Sequence, residues 1–352
     1  MKHPMVVLGL ATALALAGCA TKGKQASPTD RAAARPPSAV EVSSMRERAI
    51  DLLLEASTSP DPQARANAVE GLSLATGRLR TVLPAALADG NVGVRSVAAM
   101  AVGNLQLAGF EGRLRELERD PSPFVRSSAI FALARLGEPV DRTPLAGLLL
   151  NDPSPRVRAQ AAYILGELGE RSALPLLREA DRAMLLRASP AEVRVMRLQF
   201  AEAMVKLGET GPIEAIRAAL YPSRPEELES AALAVQIIGE VGDKASIDQL
   251  VVLSAYREGD RKLPAEVRLA IASSLAKLGL EGGSFIADEY VASPTPTLRA
   301  QAAHVYGLTG GAGNLRVLGG LMDDPEPRVR VSAAAGVIRA AERWGMARGG
   351  TD

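Results

Sequence analysis

Few residues in this chain could carry chemistry. Cys19, His3 and His304 are its whole stock of cysteine and histidine, in 352 residues. A single thiol cannot close an internal disulfide, and this set leaves no Cys/His grouping for zinc. His304 has no Ser or Cys nucleophile implied beside it and falls on a polar helix face. It reads as a solvated residue rather than a general base. Gly310-Gly311-Ala312-Gly313 is glycine-rich but follows a helix, which makes it a cap and turn rather than a phosphate cradle. There is no P-loop, no Gly-x-Gly-x-x-Gly after a strand and no Gly-x-Ser-x-Gly. Carboxylates are plentiful, but sequence alone cannot pair them into an acid–base couple. The expectation is a non-enzyme with no cofactor and no metal. What remains to be explained is the cysteine near the N-terminus and a set of regularly spaced arginines.

The cysteine sits behind an address. Met1-Lys2-His3 is a short basic start, and Met5 to Leu16 is an apolar run too short to span a bilayer. The run ends in Leu16-Ala17-Gly18-Cys19. These four residues resemble the bacterial lipobox, which implies cleavage before Cys19 and a diacylglycerol on its thiol. Residues 1–18 are then a signal peptide, and the mature chain has a formal charge of zero. Acyl chains bury many CH₂ groups at ~0.8 kcal/mol each, so two or three hold a protein at the membrane. Ala20 follows the cysteine in place of the Asp that retains such proteins at the inner membrane. That leans towards the outer membrane, facing the periplasm. Residues 19–42 are rich in Ala, Pro, Ser, Thr and Lys and read as a disordered tether with an r.m.s. span of ~25–30 Å.

The rest of the chain repeats. A marker arginine stands at Arg65, Arg95, Arg126, Arg158, Arg197, Arg268, Arg299 and Arg330, with Ala231 in the sixth of nine copies. Three residues after it come Ala68, Ala98, Ala129, Ala161, Phe200, Ala234, Ile271, Ala302 and Ala333. Seven after it come Leu72, Val102, Leu133, Leu165, Met204, Ile238, Leu275, Tyr306 and Val337. At about 100° per residue these columns share one helix face, and offsets +2, +5 and +9 share the opposite one. Ser122-Pro123, Ser154-Pro155 and Thr295-Pro296 place a capping hydroxyl before a first-turn proline. Gly137, Gly169, Gly208, Gly242, Gly279 and Gly310 follow eleven after the marker, where a left-handed cap belongs. A second apolar stretch lies between copies, so each unit is a helical hairpin that must stack on its neighbours.

The repeated Asp-Pro-x-x-x-Val-Arg-x-x-Ala resembles HEAT repeats, of the short bacterial kind found in phycocyanobilin-lyase subunits. The resemblance runs over residues 43–343 and leaves 344–352 as a tail. It implies an all-α fold, a right-handed α-solenoid of about nine HEAT-like hairpins. It also implies that the motif's Asp and Arg tie adjacent units together. On that basis Asp89 with Arg95, Asp120 with Arg126, Asp152 with Arg158, and Asp324 with Arg330 are structural ladder residues. The pattern is broken at Ala231 and weakened at Arg197 and Arg268, where the preceding acid is missing.

Such a solenoid binds along its concave face, and the +5 column there reads Glu70, Met100, Phe131, Tyr163, Glu202, Gln236, Ser273, His304 and Ala335. Met100, Phe131 and Tyr163 form an apolar strip that could anchor a partner, with Arg135 and Glu167 beside it from the +9 column. A second candidate is the irregular middle. From closing glycine to next marker takes 28, 23 and 26 residues there, against 20–21 elsewhere. The extra residues carry Arg178, Arg182, Arg187 and Arg194, at an edge where solenoid insertions tend to bind. The expected function is a lipid-anchored envelope scaffold or adaptor, a monomer that binds another protein and touches the membrane through its lipid alone. A lyase-like enzyme or accessory subunit is the alternative, opposed by export. Nucleic-acid binding is opposed by zero mature charge and by export.

Overall fold

The structure is a computed structural model that describes residues 36–349, apart from 184, 186, 187, 223 and 260. The signal peptide, Cys19, residues 20–35 of the tether, Arg187 and residues 350–352 lie outside the described residues. The described residues form eighteen α-helices, paired into nine hairpins. The first helix of each hairpin is outer: α1 (Ala39–Ala56), α3 (Thr76–Leu87), α5 (Glu111–Leu117), α7 (Thr143–Asn151), α9 (Leu174–Arg182), α11 (Ile213–Ala218), α13 (Ile247–Ala255), α15 (Ser284–Asp288) and α17 (Ala312–Leu321). The second is inner: α2 (Pro62–Leu72), α4 (Val92–Leu105), α6 (Pro123–Leu136), α8 (Pro155–Leu168), α10 (Pro190–Lys206), α12 (Leu228–Val241), α14 (Ala265–Lys277), α16 (Pro296–Thr309) and α18 (Pro327–Gly349). Helix α1 starts four residues ahead of the expected boundary at 43, because Ser38 and Glu41 form a capping box. Helix α18 continues beyond 343 to Gly349. In the long seventh unit, Arg257–Glu258 and Arg261–Lys262 form a two-residue antiparallel ladder.

The inner helices carry the columns read from the sequence. Every residue of the +3 column is 0% exposed, and none of the +7 column exceeds 9%. Their C-termini close on glycine as expected, with Gly137, Gly169 and Gly242 at φ 79°, 75° and 74°. In the second unit Gln106 takes the same left-handed place at φ 51°. The N-termini differ from expectation: Ser122, Ser154 and Thr295 make no side-chain cap. Asp120 and Asp152 instead accept the Ser122 and Ser154 amides at 2.9 Å, an Asx turn that bends the chain into the helix. The prolines keep their place, since a first-turn residue needs no N–H.

The solenoid closes on itself. Each inner helix packs on the next, and α18 packs back on α1 and α2. One apolar core runs across the junction, joining Ile50, Leu53 and Leu72 to Leu318, Val337 and Ile338. Gly71 brings the two ends together: a Cβ there would meet Leu53 at 2.9 Å and Ala335 at 3.1 Å. Arg328 reaches Asp61 at 3.3 Å, and Arg48 reaches Asp323, across the same seam. These ion pairs are exposed and contribute little beside the apolar contact. An open solenoid needs two polar capping units. Here each terminal unit covers the other, which explains how residues such as Ile50 and Val337 at opposite ends of the chain are both buried.

A second period, of two units, marks close approaches between inner helices. Gly103, Gly166, Gly239 and Gly307 lie eight after the marker in every second copy. At each, the following inner helix comes close enough to exclude a side chain. A Cβ on Gly166 would lie 2.9 Å from the Ala203 Cα, and one on Gly307 would lie 2.6 Å from the Gly336 Cα.

Candidate functional site

The rim formed by the N-terminal ends of the inner helices holds the arginine ladder. Arg95 donates to both oxygens of Asp120 at 2.8 and 3.0 Å, and to the Asp89 carbonyl at 2.7 Å. Arg65 grips Asp89 at 2.7 and 2.8 Å, and Arg299 grips Asp324 at 2.8 Å twice. The arginine of one unit therefore holds the carboxylate of the next, while bonding the backbone of its own loop. Arg126 and Arg330 make only the backbone part, to the Asp120 and Asp324 carbonyls at 2.8 and 2.9 Å. Arg158 donates its Nε to the Asp152 carbonyl at 2.7 Å, and its buried Nη1 has no partner among the described residues. Among the described residues the ladder thus lapses at Arg126, although Asp152 stands in the next unit, and at Arg158, whose next unit lacks the acid. Arg268 restores a rung that sequence spacing hides: it holds Glu289 at 2.7 and 2.8 Å and the Tyr290 hydroxyl at 2.7 Å. Arg268 beside it holds the Glu289 carboxyl down at about 2. The Arg65 hydrogen bond lowers Asp89 below the usual carboxylate range.

Ring closure turns the +5 column inward. Phe131 is 0% exposed and Tyr163 is 4% exposed, so they are not the exposed anchoring strip expected for a concave groove. Phe131 packs over Gly103 of the preceding unit, a space that only the missing Cβ provides. Met100 is partly buried against the same core. Arg135 is half-buried with an unpartnered Nε among the described residues. Glu167 accepts from Lys206 Nζ at 2.7 Å, and Lys206 also holds Glu202 at 2.5 Å. Glu240 and Lys277 pair in the same way two units on. Lys206 lies 4.8 Å from the centroid of the Tyr163 ring. Burial would lower Lys206, but Glu202 and Glu167 outweigh it and its pKa stands above the ordinary value. Burial raises Glu202 despite Lys206, and raises Tyr163 well above the usual phenol range. His304 is corrected too. It lines the ring interior, where burial first, then Arg339 and Lys277, push it well below the usual imidazole range. It is half-buried and lines a partly open cavity on the inner wall of the ring.

The irregular edge forms the second candidate. Between outer helices α9 and α11 lies a groove of about 780 Å³, bordered by Ala183, Leu185, Val193, Pro212 and Ala215. Leu198, Ala201 and Met204 of α10 form its floor. The longer connection into α10 runs beside this groove, whose floor residues Leu198, Ala201 and Met204 are themselves buried. Arg194 and Arg197 stand at its margin, bonded to Glu227 at 3.2 Å and Asp181 at 3.8 Å. Arg178 pairs with Glu209 at 3.0 Å and Arg182 is exposed. These arginines are thus partly held in place by acids and do not form one open cationic stripe. Sequence spacing located this edge but could not show the groove, which lies between the outer helices of two successive hairpins.

Among the described residues, no group of three or more His, Cys, Asp or Glu could hold a metal ion. No helix of the described residues is long and apolar enough to cross a membrane. The fold defines an all-α repeat solenoid. The family model for HEAT repeats matches residues 79–162 and 110–194. Together these matches span residues 79–194, about a third of the chain, and show HEAT repeats there. Among solved structures, an engineered protein is 19% identical, with 87% of this chain and 92% of that one covered, at a TM-score of 0.34. Human deoxyhypusine hydroxylase, in a complex with glycerol, is 17% identical, with 85% and 98% covered, at a TM-score of 0.35. No curated protein matches the sequence.

Proposed function

We propose that the protein is a lipid-tethered scaffold of the bacterial cell envelope that captures a protein partner in the groove between α9 and α11. The anchoring half rests on Leu16-Ala17-Gly18-Cys19 behind a basic, apolar start. With Ala20 next, the favoured site is the outer membrane, facing the periplasm. A Cys19→Ser chain should take up no labelled palmitate and should leave the membrane fraction. Continued labelling would refute the anchor.

The binding half rests on one observation, the apolar groove of about 780 Å³ on the outer surface. An apolar helix or short peptide segment fits such a groove, with charged residues at its margin fixing register. The ring interior is the poorer candidate for a protein partner, since Phe131 and Tyr163 are already covered. The non-enzymatic reading rests on the sequence, which offers no nucleophile–base pair. Ala215 is exposed on α11 and lines the groove, so Ala215→Arg should block it without touching the core. Crosslinking from intact envelopes should then lose the partner seen with the wild-type chain. Ala85→Arg, on the exposed face of α3, should keep it. Equal capture by both variants would refute the groove.

A further inference from the structure

The outer helix α13 is apolar on its solvent side as well as on its core side. Leu250 and Leu253 are buried against the ring. On the opposite side Val251, Val252 and Tyr256 are 44%, 66% and 49% exposed, and Ala255 is exposed with them. These four adjoin one another, since residues three and four apart share a helix face. Single exposed apolar residues need no explanation, but a contiguous set of this kind marks an interaction surface. One charge bounds the stripe at each end. Asp248 stands one turn before Val251 and Val252, at the centre of the same face. Arg257 follows Tyr256, where the chain leaves the helix for the two-residue ladder. Both are exposed, and neither has an ion partner among the described residues.

We propose that this face joins two copies of the chain, α13 against α13, antiparallel about a two-fold axis at Val252. The monomer expected from the sequence is then one half of a weak dimer. The placement of the charges selects a second copy as the occupant. In a two-fold contact, residues equally far from the axis meet. Asp248 lies about 6 Å before Val252 along the helix, and Arg257 lies a similar distance beyond it. Asp248 of each copy therefore faces Arg257 of the other, with Val251, Val252, Ala255 and Tyr256 meeting their equivalents in between. A parallel pairing would set like charge on like charge. A helix of nine residues offers less than the roughly 1,200 Å² of a stable interface, so the association is concentration-dependent. This face lies on a different outer helix from the two that border the proposed groove, and it depends neither on that groove nor on the lipid anchor.

Sedimentation velocity on residues 19–352, with Cys19→Ser, tests the proposal over about 1–300 μM, where contacts of this size dissociate. The parent chain should pass from monomer towards dimer across that range. Val252→Lys sets two ammonium groups against each other at the axis and should weaken dimerisation by about tenfold or more. The site is exposed and lysine is a good helix former, so the fold should be kept. If circular dichroism shows that it is not, Tyr256→Ser serves in its place, with the same loss expected. Asp248→Arg alone and Arg257→Asp alone should each weaken the dimer by about threefold or more. The two together should restore it, because the pair is then only reversed between the copies. A parent chain that stays monomeric throughout, as for a face that binds a different protein, overturns the proposal. So does dimerisation that the folded axis variant leaves unchanged, or a double variant as weak as the two single ones.

Discussion

Replacing Gly307 with alanine probes a backbone contact between two inner helices of the ring. A Cβ at Gly307 would lie 2.6 Å from the Gly336 Cα and 3.2 Å from its carbonyl oxygen. Carbon atoms rest about 3.5–4.0 Å apart, so α16 and α18 must part by roughly 1 Å. An open solenoid would absorb that wedge by a small change of pitch. In a closed ring the displacement passes to the other junctions or to the seam between α18 and α2. Overpacking a fitted core costs about 1–3 kcal/mol. Alanine recovers up to about 1 kcal/mol over glycine in a helix interior. The expected net effect is a loss of roughly 1–2 kcal/mol. Gly147 of α7 gives the opposite sign: nothing lies within 4 Å of its Cβ position. Gly147→Ala should therefore raise stability by up to about 1 kcal/mol. Urea unfolding followed by far-ultraviolet circular dichroism reads both changes as shifts in midpoint. A Gly307→Ala protein as stable as wild type, or shifted in the same direction as Gly147→Ala, would show that the two helices are not in backbone contact.

Arg95→Ala should lower the unfolding midpoint by the equivalent of about 3 kcal/mol, since it leaves the buried Asp120 carboxylate without its ion partner; a loss within noise would make the rung dispensable. Acid should destabilise the protein through the rim. Glu289 titrates at about 2 in the fold against an ordinary 4.5, so its contribution is complete above about pH 4.5 and is lost as pH falls through 2. Glu289→Gln should flatten that part of the melting-temperature profile, and an unchanged profile would contradict the assignment. Phe131→Ser should unfold or strongly destabilise the chain, by about 3 kcal/mol or more, because the ring fills the space over Gly103; a folded variant of wild-type stability would return Phe131 to the surface.

The repeat was legible because its physics is local. The +3 and +7 columns, the glycine caps and the hairpin count follow from helical angles and loop chemistry within each unit. The side of the helix opposite those columns was also read correctly as mixed and polar. Its surroundings were not, because closure depends on the sum of small rotations over nine units. No single unit records that sum, so Phe131, Tyr163 and His304 were placed facing solvent when they face the ring interior. The alternating glycines, Gly103, Gly166, Gly239 and Gly307, were the available clue to close approaches between inner helices. The capping hydroxyls of Ser122 and Ser154 were replaced by Asp120 and Asp152, whose double duty in turn and ladder explains the Asp-Pro motif better. The groove between α9 and α11 stayed hidden for a different reason: insertion length fixes where a gap can open but not its shape.

Ring closure is the central claim, and a distance across the seam tests it most directly. Arg48 of α1 and Asp323, at the end of α17, are ion-paired although 275 residues separate them. Spin labels on Arg48→Cys and Asp323→Cys, in a Cys19→Ser chain, give that distance by pulsed electron resonance. Nine hairpins stacked at 8–10 Å each would hold the ends of an open solenoid roughly 70–90 Å apart along its path. The closed ring predicts a narrow distribution near 20 Å, the reach of two labels on touching side chains. A broad distribution centred beyond about 50 Å would contradict closure, and with it the inward placement of Tyr163 and His304.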